Sequence, residues 1–222
     1  MSNYLVRLRT DVWRTSSARY NAARRLRRKE LFSTISLAFF SALTIALAVI
    51  QKIYSLEFKV IDGLDNYATA LSILIGISII VISLMEWGAR NGSNADALFK
   101  NAEELNSLQR KIHLEILKAS QADESGWDVA EKFLSCYEGI KNSCEINHTQ
   151  LDDRYFLSKH RSSEEFAGCK IGPYKALSIA LFWNLSSVWY YLVFWIVTAG
   201  AMFPIIKKIA GFSAVSCGFL SD

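Results

Sequence analysis

His148 and Asp152 stand four residues apart, beside Glu145 and Asp153, a spacing that would bring an imidazole and carboxylates onto one helical face. Such a set could ligate a divalent metal, but no second histidine and no fixed ligand spacing accompany it. The other two histidines, His113 and His160, are well separated in sequence. The local reading is therefore a helix N-terminus capped by Asn147, with a hydrogen bond between His148 and Asp152. Cys136, Cys144, Cys169 and Cys217 form no C-x-x-C and no Cys-His pair at zinc spacing, so they read as buried small apolar groups. The chain contains no G-x-x-x-x-G-K-[ST], G-x-G-x-x-G, H-E-x-x-H or G-x-S-x-G. The sequence accordingly offers no catalytic, cofactor-binding or metal-binding residues, and the chain is not expected to be an enzyme.

The remaining chemistry-bearing residues lie in apolar runs. Residues 31–50 and 67–85 contain no charged side chain, and neither do residues 176–206. About 20 apolar residues cross a hydrocarbon core of about 30 Å, so the first two runs are read as membrane spans joined by a short loop, 51–66. With 51% hydrophobic residues and only 2 Pro in 222 positions, the chain is expected to be an all-α membrane protein. Ala46-Leu47-Ala48 has the form of a signal-cleavage site. The long basic stretch before it and the length of the apolar run favour an uncleaved span. Ser33, Ser36, Ser41 and Thr44 fall near one stripe of the first span, and Ser72, Gly76 and Ser83 near one stripe of the second. Polar groups are costly in lipid, so these stripes either pack helices closely, with Ser72-x-x-x-Gly76 a small-residue pair, or line an aqueous path in an assembly. No charged residue inside a span argues against a proton relay or a voltage sensor.

The elements that must hold these spans are polar. Residues 1–30 carry nine basic and two acidic residues, with Arg24, Arg25, Arg27, Arg28 and Lys29 directly before the first span. Basic residues at span ends stay in the cytoplasm, which puts the N-terminus inside, the 51–66 loop outside and the region 86–175 inside. Twelve basic residues against fifteen acidic ones in 86–175 make the basicity a juxtamembrane feature, suited to anionic headgroups and not to a nucleic acid. Residues 4–29 lack Gly and Pro, and Leu5, Leu8, Val12, Tyr20, Ala23 and Leu26 can share a side. They predict an amphipathic helix that rests on the membrane surface or runs into the first span.

After a break at Gly88 and Asn91–Asn94, Leu98, Ala102, Leu105, Ile112 and Ile116 follow a heptad seam, with Gln109 at the omitted position. Beyond a second break at 121–126, Ala130, Phe133, Tyr137, Ile140 and Cys144 repeat the spacing. An antiparallel helical hairpin is expected, or pairing between subunits. A short helix is predicted over 150–159, and Gly168, Gly172 and Pro173 end the region. The run 176–206, rich in Trp and Tyr, is too long for one perpendicular span and too short for two. It is assigned as a third membrane segment, 176–222 with its tail, that spans, re-enters or lies at the interface, with Asn184, Gly200 and Pro204 as places to bend.

The Arg-rich block Arg19-Tyr20-Asn21-Ala22-Ala23-Arg24-Arg25-Leu26-Arg27-Arg28 before a first span, a second span ending in Ser83-Leu84-Met85-Glu86, and Asn147-His148 with Asp152 resemble the SLATT family over roughly residues 10–156. By position, Arg19, Tyr20, Arg24, Arg25, Asn147, His148 and Asp152 match its recurring motif. The resemblance implies a two-transmembrane effector of prokaryotic antiviral defence in the bacterial inner membrane, with a nucleotide-synthesising or nucleotide-sensing partner and no assigned catalytic residues. The third apolar segment lies outside the two-span pattern. The leading expectation is a homo-oligomer that permeabilises the membrane on an infection signal. The alternative is a membrane-anchored helical scaffold that recruits a soluble enzyme and forms no pore.

Overall fold

The computed structural model describes residues 2–60, 63–119 and 127–218, and among them every element is helical. The chain forms an all-α membrane protein: three of its helices are long and apolar enough to cross a bilayer. In order they are α1 (Ser2–Ile53), α2 (Ser55–Val60), α3 (Leu64–Ala89), α4 (Asn91–Ala119), α5 (Trp127–Asn142), α6 (Gln150–Lys159), a 3₁₀ turn (Glu164–Cys169), α7 (Pro173–Leu185) and α8 (Trp189–Gly218). Two compact units emerge, one of Met1–Lys29 with Arg90–Ser187 and one of Glu30–Ala89 with Val188–Asp222.

The first unit is a helical assembly around the N-terminal half of α1. Leu5, Leu8 and Val12 pack with Leu105, Leu108 and Ile112 of α4 and Ala130 of α5, while Phe133, Tyr137 and Ile140 close the side. Further along, Ala22 and Ala23 meet Leu98, with Leu26, Phe99 and Cys144 around them. Trp13 packs on Phe156, Leu157 and Phe166. The amphipathic stripe read from the sequence is real, but its apolar side is buried in protein, so residues 4–29 do not rest on a membrane surface by that face; α1 instead runs without interruption into the first apolar stretch.

Sharing with α1 also shifts the hairpin seam. Leu108 is buried where the heptad placed Gln109, which is only half-buried, because α4 must cover α1 and α5 together and so needs a face wider than a two-helix seam. The expected break at 121–126 lies outside the described residues. Cys136 and Cys169 are exposed and only Cys144 is partly buried, against the reading of the cysteines as core groups; the Cys217 side chain is outside the described residues.

The second unit gathers residues 30–53 of α1 with α2, α3 and α8 around Phe40, Leu47, Phe58, Leu71, Ile75, Ile82, Tyr191 and Ile205. The 51–66 connection is shorter than the loop expected: α1 continues to Ile53 and α2 follows, with Phe58 buried. Asp62 lies outside the described residues. The break after the second span narrows to Arg90 alone, whose φ of 47° is left-handed, while Gly88 and residues 91–94 are helical. A non-glycine residue there carries a cost of about 1 kcal/mol or more. The run 176–206 is divided by a turn at 186–188: α7 belongs to the first unit, and α8 carries the third candidate span, Trp189–Lys208.

Candidate functional site

Arg25 of α1 meets Asp152 of α6, two of the motif positions, at one carboxylate. Thr149 is the N-cap of α6 and Asp152 stands at N3, the capping-box spacing. The Thr149 backbone N–H and hydroxyl donate to Asp152 Oδ2 at 3.0 and 2.7 Å. Arg25 closes on the same group as a fork, Nε to Oδ1 at 2.9 Å and Nη2 to Oδ2 at 3.0 Å. Trp183 of α7 donates its indole N–H to Oδ1 at 2.9 Å. Asp152 is 0% exposed. Burial pushes its carboxyl upward, but the hydrogen bonds and charge of Arg25, with Thr149 and Trp183, outweigh this and hold it below the usual range. Asn21 adds a bond from Nδ2 to the Asp152 carbonyl at 3.3 Å. A single turn of α6 is thus gripped by α1 through backbone and side chain together.

Rings extend this clamp. Trp183 stacks on Tyr155 with centroids 4.1 Å apart and planes 5° from parallel. Arg28 lies 4.2 Å above Trp183, and Lys159 4.6 Å from Tyr155. The result is a cation, ring, ring, cation ladder in which each guanidinium or ammonium meets the negative face of an aromatic ring. Arg28 also donates to Asn184 Oδ1.

Arg19 is buried differently. It is 2% exposed, and among the described residues no carboxylate lies within ion-pair distance of it. Its guanidinium donates to Asn101 Oδ1 and to the Lys141 carbonyl at 3.0 Å, while Nε has no partner. Asn101 Nδ2 in turn donates to the Ile140 carbonyl at 2.6 Å. Both carbonyls belong to the last turn of α5, so a cation sits at the negative end of that helix. Burial depresses the Arg19 pKa, yet an arginine remains protonated in this range.

The other motif residues are peripheral. Tyr20 packs edge-on against Phe99 at 5.3 Å, and burial raises its hydroxyl pKa. Arg24 is exposed. Asn147 is exposed, and its Oδ1 accepts the His148 backbone N–H at 2.9 Å. The cap is therefore Thr149 and not Asn147, and Asp152 bonds Thr149, Arg25 and Trp183 instead of His148. His148 Nδ1 is buried without a partner, and burial holds the imidazole below its ordinary pKa. It adjoins a polar cavity of 390 Å³ lined by Asp11, Arg14, Thr15, Tyr137, Gln150 and Asp153. Arg14 forks onto Asp153 there at 2.7 and 2.6 Å. Among the described residues no three His, Cys, Asp or Glu side chains are grouped to hold a metal ion.

The hydroxyl stripes of the spans scatter over different surroundings. Ser33 and Ser36 are buried, and Ser36 accepts the Trp195 indole N–H at 2.9 Å. Thr44 and Ser72 are half-buried and donate to carbonyls of their own helix, Phe40 and Ala68. Ser41 and Ser83 are exposed. Among the described residues an added Cβ at Gly76 would meet nothing within 4 Å, so no close helix approach is made at Gly76.

Sequence reasoning overlooked Trp183, Asn101 and Asn21. Trp183 stands inside an apolar run, and Asn101 is a buried polar position of α4 that the heptad spacing passes over. The Thr149-x-x-Asp152 capping box is the local signal in the sequence that marks this turn.

No curated protein and no solved structure matches the chain. The model of the SMODS and SLOG-associating 2TM effector domain family 5 matches residues 1–207, well beyond the 10–156 stretch that carried the resemblance and through α7 into the third apolar helix, and the chain therefore belongs to this SLATT family.

Proposed function

We propose that this membrane effector domain oligomerises in the bacterial inner membrane, N-terminus in the cytoplasm, and permeabilises the bilayer when a defence partner signals infection. The observation that carries the reading is the pattern of the three apolar helices. Ile35, Phe39, Ile45 and Val49 of α1, Ile73, Leu74, Ile77 and Ile80 of α3, and Ile196, Val197 and Phe203 of α8 are all exposed. Such surfaces suit lipid or neighbouring subunits, and three spans are too few to enclose a water path alone. Helix α1 supplies both units without a break, which gives a signal received by the first unit a continuous element leading to the spans. Neither pore formation nor the partner requires catalysis by this chain. The partner is a nucleotide-synthesising or nucleotide-sensing defence protein, and Arg24, exposed and outside the Asp152 clamp, is the juxtamembrane arginine placed to meet anionic headgroups.

The test is release of potassium and a small dye from liposomes holding the purified protein, with and without the product of its genomic partner. Gated leakage, together with collapse of membrane potential on induction in cells, is the expected result. Tight liposomes with verified, oriented protein and the active partner would end the pore reading.

A second reading is favoured by a groove of 600 Å³ between α4 and α5, lined by Leu108, Val129, Phe133 and Ile140 and edged by Glu104, Lys111, Glu115 and Lys132. It suits a scaffold that seats a partner helix on the hairpin. Replacing the spans with unrelated apolar helices separates the two, since a scaffold retains activity and a pore former loses it.

A further inference from the structure

Helix α7 buries one side in the first unit and leaves the other bare. Ala176 and Trp183 are buried, whereas Tyr174, Leu177, Leu181 and Leu185 are exposed at 88%, 70%, 66% and 44%. At about 100° per residue, these four side chains fall within an arc of about 80° and form one apolar stripe. The buried side is fixed by Trp183, bonded to Asp152 and stacked on Tyr155, so the stripe cannot roll inward without breaking the clamp.

Three observations name what covers it. Only the turn 186–188 separates Leu185 from Trp189, the first residue of a candidate span. At roughly 3.6 Å per residue, the end of α7 lies within about 14 Å of that span's start. On α1, Arg28 stands three residues before the uncharged run 31–50, and it is this residue that caps the Trp183 ring and bonds Asn184. The C-terminal turn of α7 is therefore tied to the entrances of two spans. Its 13 residues reach only about 20 Å, short of a hydrocarbon core of about 30 Å, so α7 does not cross. Lys175 lies at the flank of the stripe and is exposed, placed to keep its ammonium among headgroups while its stem follows the apolar surface.

We propose that α7 is an interfacial helix, docked on the lipid surface through Tyr174, Leu177, Leu181 and Leu185, so that the Asp152 clamp is seated at the membrane boundary. This is a property of the resting protein and does not depend on pore formation.

The test uses the full chain in phosphatidylcholine–phosphatidylglycerol vesicles, with Cys136, Cys144, Cys169 and Cys217 changed to Ser and single substitutions Y174C, L177C, L181C, L185C and K175C carrying a nitroxide. Power saturation against oxygen and a water-soluble nickel chelate reports depth. The expected result is oxygen preference at the four stripe positions, about 5–10 Å below the headgroup level, with K175C open to nickel. A label at L114C, on an exposed position of α4, supplies the water reference. Nickel access at the stripe equal to that at L114C would overturn the proposal. So would exclusion of both reagents with dipolar broadening between labels, which would mean that a second copy covers the stripe. Each labelled position is exposed; the paired variant Leu177→Glu with Leu181→Glu should further remove oxygen preference at Y174C and L185C while leaving the first unit folded by protease resistance.

Discussion

The two halves of α1 are one uninterrupted helix, yet they are held by different means. Residues 2–29 add charge to an apolar face of Leu5, Leu8 and Val12: Arg25 on Asp152, Arg14 on Asp153, Arg19 on the end of α5, Arg28 on Trp183. Residues 30–53 are anchored by Phe40 and Leu47 in an apolar cluster and by a neutral bond between Trp195 and Ser36. Backbone hydrogen bonding is the same in both, so the difference lies in the solvent each half was built against. In the first half water is the competitor, and apolar burial plus satisfied charges define one arrangement. In the second half lipid tails compete equally well for apolar groups, which leaves van der Waals fit and a few polar bonds to select partners.

The sharpest way to break this contrast is at Asp152. Changing Asp152→Asn leaves the partly buried Arg25 with no opposing charge, and a loss of up to about 3 kcal/mol is expected. Limited proteolysis should open α4–α7 while the apolar helices remain protected by detergent or lipid. The same variant gives the pH dependence. The Asp152 carboxyl is depressed in the folded protein, so its contribution is complete above the unfolded value of about 3.9 and is lost as pH falls through the lower folded value. The stability gap between wild type and Asp152→Asn should therefore be widest near neutrality and close in acid, measured by thermal melts from pH 7 to 3.

Arg19→Met should cost less, about 1–3 kcal/mol. It removes a buried cation without stranding an opposite charge, and the loss comes from the Lys141 carbonyl and Asn101 left short of a donor. A result as severe as that of Asp152→Asn would mean that the α5 terminus depends on the charge itself. In the second half, Trp195→Phe deletes the bond to Ser36 and keeps most of the ring, including its stacking on Phe39 at 4.5 Å. An effect of about 0.6 kcal/mol is expected in a membrane, read from unfolding in mixed micelles. The smallest effect belongs to Arg27→Ala, whose pair with Asp96 at 2.8 Å is exposed on both sides. A change below about 0.5 kcal/mol in the melt would place it with ordinary surface pairs.

Much of the first unit could be read along the chain. The stripe Leu5, Leu8, Val12, Tyr20, Ala23, Leu26 and the spacing of Leu98, Ala102, Leu105, Ile112 and Ile116 are local patterns that turn inward, with Tyr20, Leu26 and Ile116 half-buried and the rest buried. What those patterns omit is the identity of the facing element. The α4–α5 hairpin was expected to pack on itself, and α1 fills part of its seam, moving burial from Gln109 to Leu108. The Arg-rich block was likewise visible as a motif, but nothing in it separates Arg19, which is buried, and Arg25, which is partly buried, from Arg24, which is exposed.

The sequence by itself determined the helical class, the uncharged runs long enough for a bilayer and the family, because these follow from composition and from periodicities of a few residues. Tertiary structure decided that Trp183 leaves its apolar run to bond Asp152, that Arg19 finds Lys141 across 122 positions, and that residues 176–206 divide between two units. Partners separated by dozens of residues meet only when helices have packed, and a guanidinium shows its choice among carboxylate, carbonyl and water only when desolvation has made the choice costly.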